Sequence, residues 1–260
     1  MKPAMAKVKR IEGVLAPVIT PFRKDYAPDA QRFVRHCRWL LKSGCAGLAV
    51  FGTNSEANSL SVSEKKSLLE KLVAGGVPAS ALMPGTGHCA LSDSIEMTRA
   101  AVELGCAGVL MLPPFYYKGV SDEGLYRNFA EVIERVGDER LQLYLYHIPP
   151  VAQVAITLPL IEKLLSKYPG IVAGVKDSSG DWSNTKAMLD AFAKEGFDVS
   201  QGARCSCSTT CATAARAASP PPATSIQDPS PTSTATGARR TPSGSRPASA
   251  RRARSCRSSP

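Results

Sequence analysis

Two side chains in this sequence, a lysine and a tyrosine, lie at the ends of apolar runs and are suited to carbonyl chemistry. Lys176 follows the run "IVAGV", and Tyr146 lies within "LQLYLYHIPP". An amine that emerges into a poorly solvated cavity has a lowered pKa, because desolvation disfavours its ammonium form, and it can attack a ketone carbonyl. The resulting iminium is an electron sink, and a phenol beside it can relay protons. Lys176 and Tyr146 therefore predict imine chemistry.

Each candidate also has a purely structural interpretation. Lys176 could extend into bulk water beside Asp177, and Tyr146 could fill the core with its hydroxyl at the surface. Thr53 lies in a turn, residues 52–56, whose backbone N–H groups and hydroxyl could bind a small carboxylate, although a Gly-Thr-Asn turn is not diagnostic by itself. The strands and loops predicted around these residues distinguish between the catalytic and the structural interpretation.

The candidates belong to a repeating pattern in which an apolar run is followed by a loop and an amphipathic helix. Six such units precede residue 200, and their apolar runs cover residues 13–22, 47–52, 81–87, 108–114, 141–150 and 170–177. The helices are predicted at residues 29–43, after Ser61 or Ser63, and at 91–104, 122–135, 158–167 and 182–193. Runs that are apolar on both faces indicate a parallel sheet covered by helices.

Six consecutive βα units fit either a doubly wound sheet or most of a (β/α)8 barrel. A doubly wound dinucleotide-binding fold would carry G-x-G-x-x-G after its first strand, whereas this chain has "TPFRKD" there. The sequence therefore predicts an α/β protein with a (β/α)8 TIM barrel, incomplete at six units. Because polar residues at the carboxyl ends of barrel strands form one mouth, we expect Lys176, Tyr146 and Thr53 to meet there.

Four motifs in this order resemble the dihydrodipicolinate synthase/N-acetylneuraminate lyase family. They are "GTNSEANSL" after the second strand, "PPFYYKGVSDEGLY" after the fourth, "YHIPP" after the fifth and "GVKDSSGD" after the sixth. The resemblance extends from about residue 13 to residue 199. Members of the family are (β/α)8 enzymes that form a Schiff base with pyruvate or another 2-keto acid. The resemblance thus implies a lyase or synthase that catalyses reversible aldol condensation or cleavage.

The resemblance also implies roles for individual residues. Lys176 would be the Schiff-base lysine, Tyr146 the phenol of the proton relay, and Thr53 the residue that extends this relay. The turn of Thr53 and Asn54 would hold the pyruvate carboxylate. Tyr116 would reach into a neighbouring subunit's site, with Tyr117 as the alternative because of a one-residue length difference. The covalent imine requires neither a cofactor nor a metal, and a homodimer or homotetramer is expected.

Two departures from the family leave the second substrate open. Synthases of the family typically have Thr-Thr-Gly-Glu where this chain has "TNSE", and they place a carboxylate-binding arginine where Val151 stands. The absence of that bidentate clamp favours a less acidic aldehyde as the partner of the keto acid. A 2-keto-3-deoxy sugar acid dehydratase or N-acetylneuraminate-type lyase is the alternative enzyme, and a non-catalytic pseudoenzyme scaffold is the alternative without catalysis.

The composition separates an N-terminal extension (residues 1–12), the aldolase domain (13–199) and a basic tail (200–260). The tail contains nine arginines and one acidic residue, and this accounts for +8 of the chain's net charge of +10. Its only large aliphatic side chain is Ile226, so it is predicted to be disordered. The charge of the domain itself does not indicate a specific nucleic-acid partner. Because the chain lacks a secretory signal and an apolar membrane span, a cytoplasmic protein is expected.

The serine- and cysteine-rich tail also suggests a frameshift near Ser200. When each codon is read from its third base, TCN serine codons become Phe, Leu, Ile or Val codons, and cysteine codons become Leu, Val or Met codons. "RCSCSTTC" then gives an apolar quartet, two polar residues and another apolar residue, which is typical of a strand before a helix. We therefore expect the chain as written to be poorly folded and nearly inactive. The form read in the alternative frame from residue 200 is called the frame-restored form below.

Overall fold

The computed structural model describes residues 10–202, and the fold of this part is an alternation of parallel strands and helices. The strands are β1 (Leu15–Pro17), β2 (Gly47–Ala49), β3 (Val109–Met111), β4 (Leu143–His147), β5 (Val172–Asp177) and β6 (Asp198–Gln201). The helices are α1 (Ala30–Lys42), α2 (Val62–Ala74), α3 (Leu91–Glu103), α4 (Asp122–Val136), α5 (Pro149–Ala152), α6 (Leu158–Lys167) and α7 (Trp182–Phe192). The predicted tail from residue 203 onward lies outside the described residues, as do residues 1–9 of the predicted N-terminal extension.

The strands form a two-stranded sheet, β1-β2, and a four-stranded sheet, β3-β4-β5-β6, in which all pairs are parallel. The segment 82–86 joins the two sheets. Met83 N–H donates to the Leu48 carbonyl at 2.9 Å, and Leu110 N–H donates to the Pro84 carbonyl at 2.9 Å. The result is one continuous parallel array surrounded by helices, which confirms the predicted incomplete TIM barrel.

Strand β6 extends the array beyond the six predicted units. It pairs with β5 from Gly174 opposite Asp198 to Asp177 opposite Gln201, so the sheet continues past residue 199. The sequence gives little indication of this strand, because "DVSQ" is short and contains one aliphatic residue, and its residues are half-buried or exposed. Pairing with the edge of β5, a long-range contact, makes it a strand.

Alternation along the strands separates a helix-facing core from the barrel interior. Leu143, Leu145 and Val175 belong to the larger core, which packs against the helices. Tyr144 and Tyr146 point to the opposite face and belong to a smaller interior cluster. Because successive residues of a strand point to opposite faces, the interior position of Tyr146 places its neighbours in sequence among the helices.

Local sequence signals determine where the helices begin. Ser61 caps α2, and its hydroxyl accepts from Glu64 N–H at 3.2 Å while the Glu64 carboxylate accepts from Ser61 N–H at 2.9 Å. This reciprocal capping box contributes about 1 kcal/mol to helix stability and identifies Ser61 rather than Ser63 as the cap. In the described part of the chain, no helix has the length and apolar character needed to span a membrane.

Candidate active site

The amine of Lys176 and the phenol of Tyr146 face each other in the barrel interior. Tyr146 of β4 lies opposite Lys176 of β5 in the parallel register, and both side chains point inward. The Lys176 Nζ donates to the Tyr146 hydroxyl at 3.4 Å and lies 4.4 Å from the centroid of its ring. Tyr146 is 4% exposed, so the phenol that contacts the amine is buried and shielded from solvent.

Thr53 continues the line of polar atoms from Tyr146. The Thr53 Oγ1 lies 3.5 Å from the Tyr146 hydroxyl oxygen, so amine, phenol and hydroxyl form a chain. Thr53 begins a short 3-10 helix, Thr53–Ser55, which follows Gly52. The first N–H groups of such a helix have no acceptor within it, and they remain free to bind an anion.

A strained backbone conformation and a side-chain hydrogen bond hold this turn in place. Phe51, just before Gly52, has φ = 58°, a left-handed conformation that is costly for an aromatic residue. The buried Ser55 hydroxyl then donates to the Val18 carbonyl and fastens the turn to the segment after β1. Ser55 stands where family synthases have glycine, and its anchoring role could not be predicted from the sequence.

Two glycines at the end of the third apolar run allow backbones to approach closely beside this turn. A side-chain carbon at Gly85 would collide with the Phe51 carbonyl, and one at Gly87 would collide with the backbone of Leu112. Glycine is therefore required at both positions. The motif "GTG" thus positions the turn that carries Thr53.

A cavity of about 190 Å³ opens beside the turn. Its wall contains the polar residues Thr53, Glu56 and Tyr146 and the apolar residues Phe115 and Val151, among others. Its size suits a small organic molecule. No cluster of three or more His, Cys, Asp or Glu side chains that could bind a metal occurs within residues 10–202.

Three predicted site residues are not part of this cavity wall, namely Lys176, Asn54 and Tyr116. The Lys176 amine contacts the Tyr146 hydroxyl, and Tyr146 belongs to the wall. Asn54 is exposed on the short helix that Thr53 begins, and only its neighbour in sequence contributes to the wall. Tyr116 is 75% exposed and packs edge-to-face against Tyr117, which is 56% exposed, with 5.5 Å between the ring centroids. The structure thus brings together Lys176, Tyr146 and Thr53 and leaves the two tyrosines on the surface.

Behind the site, Asp177 is buried at 1% exposure on the helix-facing side of β5. It accepts hydrogen bonds from Thr185 Oγ1 at 2.7 Å, Ser179 N–H at 2.8 Å and Asn184 Nδ2 at 3.0 Å. Burial alone would raise the pKa of Asp177, but these donors outweigh it and hold the pKa below its ordinary value. Asp177 is therefore a fixed negative charge.

Gly202 is a residue of the site that the sequence did not reveal. Its N–H donates to the Asp177 carbonyl at 2.7 Å, directly after β6. A side-chain carbon at this position would collide with the Cε atom of Lys176 and with the Ser178 hydroxyl. Gly202 lies outside the predicted domain, 13–199, so its contact with Lys176 could be found only from the strand pairing.

The family model described as "Dihydrodipicolinate synthetase family" matches residues 10–211. The chain belongs to this family. An "Uncharacterized DapA-like lyase" of Chloroflexus aurantiacus is 36% identical over 182 residues, which cover 69% of this chain and 60% of that protein. A "4-hydroxy-tetrahydrodipicolinate synthase" of Thermus thermophilus is 37% identical over 172 residues, 65% of this chain and 55% of that protein.

Solved structures of the dihydrodipicolinate synthetase family have the same fold. The dihydrodipicolinate synthase of Agrobacterium tumefaciens matches with a TM-score of 0.70 and 32% identity, covering 73% of this chain and 66% of that one. YagE of E. coli, solved in complex with pyruvate, matches with a TM-score of 0.66 and 26% identity over 73% of this chain and 63% of that one. In sequence, the chain spans about 60% of the length of the curated relative from Chloroflexus.

Proposed function

We propose that this family member is a carbon–carbon lyase or synthase that forms an imine between Lys176 and pyruvate or another 2-keto acid. One observation carries the proposal, the chain of atoms in which the Lys176 Nζ lies 3.4 Å from the Tyr146 hydroxyl and this hydroxyl lies 3.5 Å from Thr53 Oγ1. A strand-end lysine with only a structural role would not require a buried phenol beside its amine.

In the proposed reaction, the neutral amine of Lys176 attacks the keto carbon and a C–N bond forms. Tyr146 transfers a proton to the carbonyl oxygen, and Thr53 extends the path along which that proton is replaced. Loss of water leaves the protonated imine, which draws electrons from the adjacent carbon. That carbon loses a proton and attacks an aldehyde, or the reverse sequence cleaves the corresponding bond. The imine itself is the electron sink, so the scheme uses no cofactor.

The turn at Thr53 and Asn54 is the proposed site for the carboxylate of the keto acid. Its N–H groups are the first of a 3-10 helix and can donate to an anion without breaking internal bonds. Asn54 would contribute its backbone N–H group, because Asn54 is exposed and is not part of the cavity wall. Tyr116 is proposed to act on the site of a neighbouring subunit, and its 75% exposure supports this role.

The second substrate is proposed to be an aldehyde without a carboxylate. Among the described residues, the cavity wall contains the apolar side chain of Val151 and the acid Glu56, and neither lysine nor arginine. An acidic acceptor would meet repulsion from Glu56 and no ion pair. Asn58 and Ser59 also contribute to the wall and could bind hydroxyl groups. This favours a 2-keto-3-deoxy sugar acid dehydratase or an N-acetylneuraminate-type lyase as the second candidate.

We also propose that the 260-residue chain is nearly inactive and that the frame-restored form is active. Within residues 10–202, β1 pairs with β2 alone and β6 with β5 alone, so the array has two free edges. Val14 and Ile19, which flank β1, are 67% and 59% exposed. Free apolar edges favour misfolding and aggregation. Sequencing of the gene tests the frame, and a confirmed in-frame tail would contradict the proposal.

Borohydride reduction in the presence of pyruvate tests the imine. We expect a stable pyruvate adduct in the intact mass of the frame-restored form and little adduct in the 260-residue chain. Lys176→Met should abolish the adduct, whereas Lys186→Met, which removes an exposed lysine of α7, should retain it. Absence of any adduct in the frame-restored form would refute the proposed function, and efficient trapping in the 260-residue chain would refute its inactivity.

A further inference from the structure

Two buried polar residues directly behind the Lys176–Tyr146 pair have no role in the proposed reaction. His147 follows Tyr146 on β4, and Asp177 follows Lys176 on β5. The register that places Tyr146 opposite Lys176 also places His147 opposite Asp177, on the helix-facing side of the sheet. The two residues are 4% and 1% exposed, so neither can contact a substrate in the cavity.

We infer that His147 and Asp177 form a positioning pair, which holds Tyr146 and Lys176 at the separation that the proposed imine chemistry needs. The inference rests on the proposed function and names two further residues on which it depends. Adjacent residues on a strand share one peptide unit and point to opposite faces. A shift of His147 or Asp177 among the helices therefore rotates Tyr146 or Lys176 in the interior.

The hydrogen bonds of His147 determine where its proton lies. The His147 Nδ1 accepts from Ile156 N–H at 2.9 Å, so in the neutral ring the proton is on Nε2. The Nε2 lies 4.0 Å from Asp177 Oδ1, which is longer than a hydrogen bond. Burial lowers the pKa of His147 more than Asp177 raises it, so the ring is neutral. A neutral imidazole thus directs its N–H dipole toward the fixed Asp177 carboxylate.

Each member of the pair also fixes a loop of the active-site end. His147 holds Ile156, at the end of the segment that follows α5, and Val151 of α5 belongs to the cavity wall. Asp177 holds Ser179 after β5, as well as Asn184 and Thr185 in the first turn of α7. The main chain links the two sides, since Ser178 N–H donates to the His147 carbonyl at 2.7 Å.

A satisfied structural polar cluster would explain the burial of either residue alone. It would not explain why the cluster spans the same two strands, in the same register, as the Lys176–Tyr146 pair. Reacting groups must be held within a fraction of an ångström, and a misplacement of about 1 Å can cost roughly 100-fold in rate. The position of the pair, one residue from each reacting group, is where such control is most direct.

The test compares variants that preserve shape. His147→Phe removes both ring nitrogens, His147→Gln keeps an acceptor and a donor, and Asp177→Asn removes the charge. Tyr168→Phe is the control, because it removes a partly buried hydrogen bond to Glu134, which is not part of the site. All are made in the 260-residue chain and in the frame-restored form, and the rate of borohydride trapping is measured per folded site at saturating pyruvate.

We expect His147→Phe and Asp177→Asn to lower this rate constant by roughly 10- to 100-fold, with a change in the half-saturating pyruvate concentration of less than about threefold. His147→Gln should recover part of the loss. Tyr168→Phe should lower the melting temperature and leave the rate constant unchanged. If His147→Phe and Asp177→Asn lower only the melting temperature, the pair is structural and the inference is wrong.

A second measurement does not depend on any variant being active. Imidazole nitrogen NMR of the unaltered protein should show His147 neutral at about pH 7.5, with its proton on Nε2; His147→Gln assigns the signal. A His147 that is protonated at this pH, or that carries its proton on Nδ1, would overturn the inference. If neither the unaltered 260-residue chain nor the unaltered frame-restored form traps pyruvate, the proposed function is wrong. The NMR result then still tests the geometry of the His147–Asp177 pair.

Discussion

A buried lysine beside the cavity wall yields a quantitative prediction. Lys65 of α2 is 2% exposed, and its Nζ donates to His88 Nε2 at 2.8 Å. The His88 Nδ1–H donates to the Thr86 carbonyl at 3.0 Å, so Lys65 holds the segment 86–88 that contributes Gly87 to the cavity. Desolvation lowers the pKa of Lys65 from 10.5 to about 8, although Asp93 opposes this shift. At neutral pH the buried ammonium group of Lys65 therefore lowers the free energy of unfolding.

The sign and size of the effect follow from linkage. Below about pH 8 Lys65 is protonated in the folded and in the unfolded state, so burial of its charge destabilises the fold by the full amount. Between about pH 8 and pH 10.5 the unfolded chain binds more protons, so the free energy of unfolding rises with pH. From about pH 7 to about pH 9.5 the gain is about 2 kcal/mol. Burial lowers the pKa of His88, whose charge does not change in this window.

Urea unfolding of the frame-restored form, unaltered and with Lys65→Met, at these two pH values measures the gain. Methionine keeps the length of the side chain and removes its charge, so titrations elsewhere cancel in the comparison. We expect the unaltered protein to gain about 2 kcal/mol more than the variant over this range. If the free energy of unfolding depends equally on pH in the two proteins, Lys65 does not have a lowered pKa in the fold.

Three further predictions concern the site. Tyr146→Phe keeps the ring and removes the proton relay, so the trapping rate with pyruvate should fall by roughly 100- to 10,000-fold; an unchanged rate would exclude a relay role. Gly202→Ala in the 260-residue chain should slow the residual trapping at Lys176 by at least about tenfold, because its methyl group displaces the lysine; an unchanged rate would contradict this contact. Val151→Arg should improve kcat/KM for carboxylate-bearing aldehydes by about tenfold relative to neutral ones, and equal use of both by the unaltered enzyme would contradict the proposed acceptor.

The regular elements could be predicted from sequence because their signals are local. Helix α6 was expected at residues 158–167 and is found at Leu158–Lys167, where Thr157 caps its first turn. The third apolar run was also expected, yet it forms isolated parallel bridges between β2 and β3 rather than a full strand. Strand β6 was missed because only its pairing with β5, and not its composition, makes it a strand.

The placement of the candidate residues could be predicted as far as strand order determines it, and their catalytic roles stay predictions. Alternation and parallel pairing suffice to bring Lys176, Tyr146 and Thr53 to one end of the sheet. The contributions of Ser55 and Gly202 depend on contacts between segments far apart in sequence, which no local pattern encodes. The exposed Tyr116 remains a prediction about a second subunit.

The position of the pyruvate adduct shows which lysine forms the imine. After borohydride reduction, the frame-restored form is digested and its peptides are mapped by mass spectrometry. We expect the reduced adduct on Lys176 and its loss in Lys176→Met. An adduct on another lysine, or no adduct while the protein still turns over a 2-keto acid, would contradict the claim that Lys176 forms the imine.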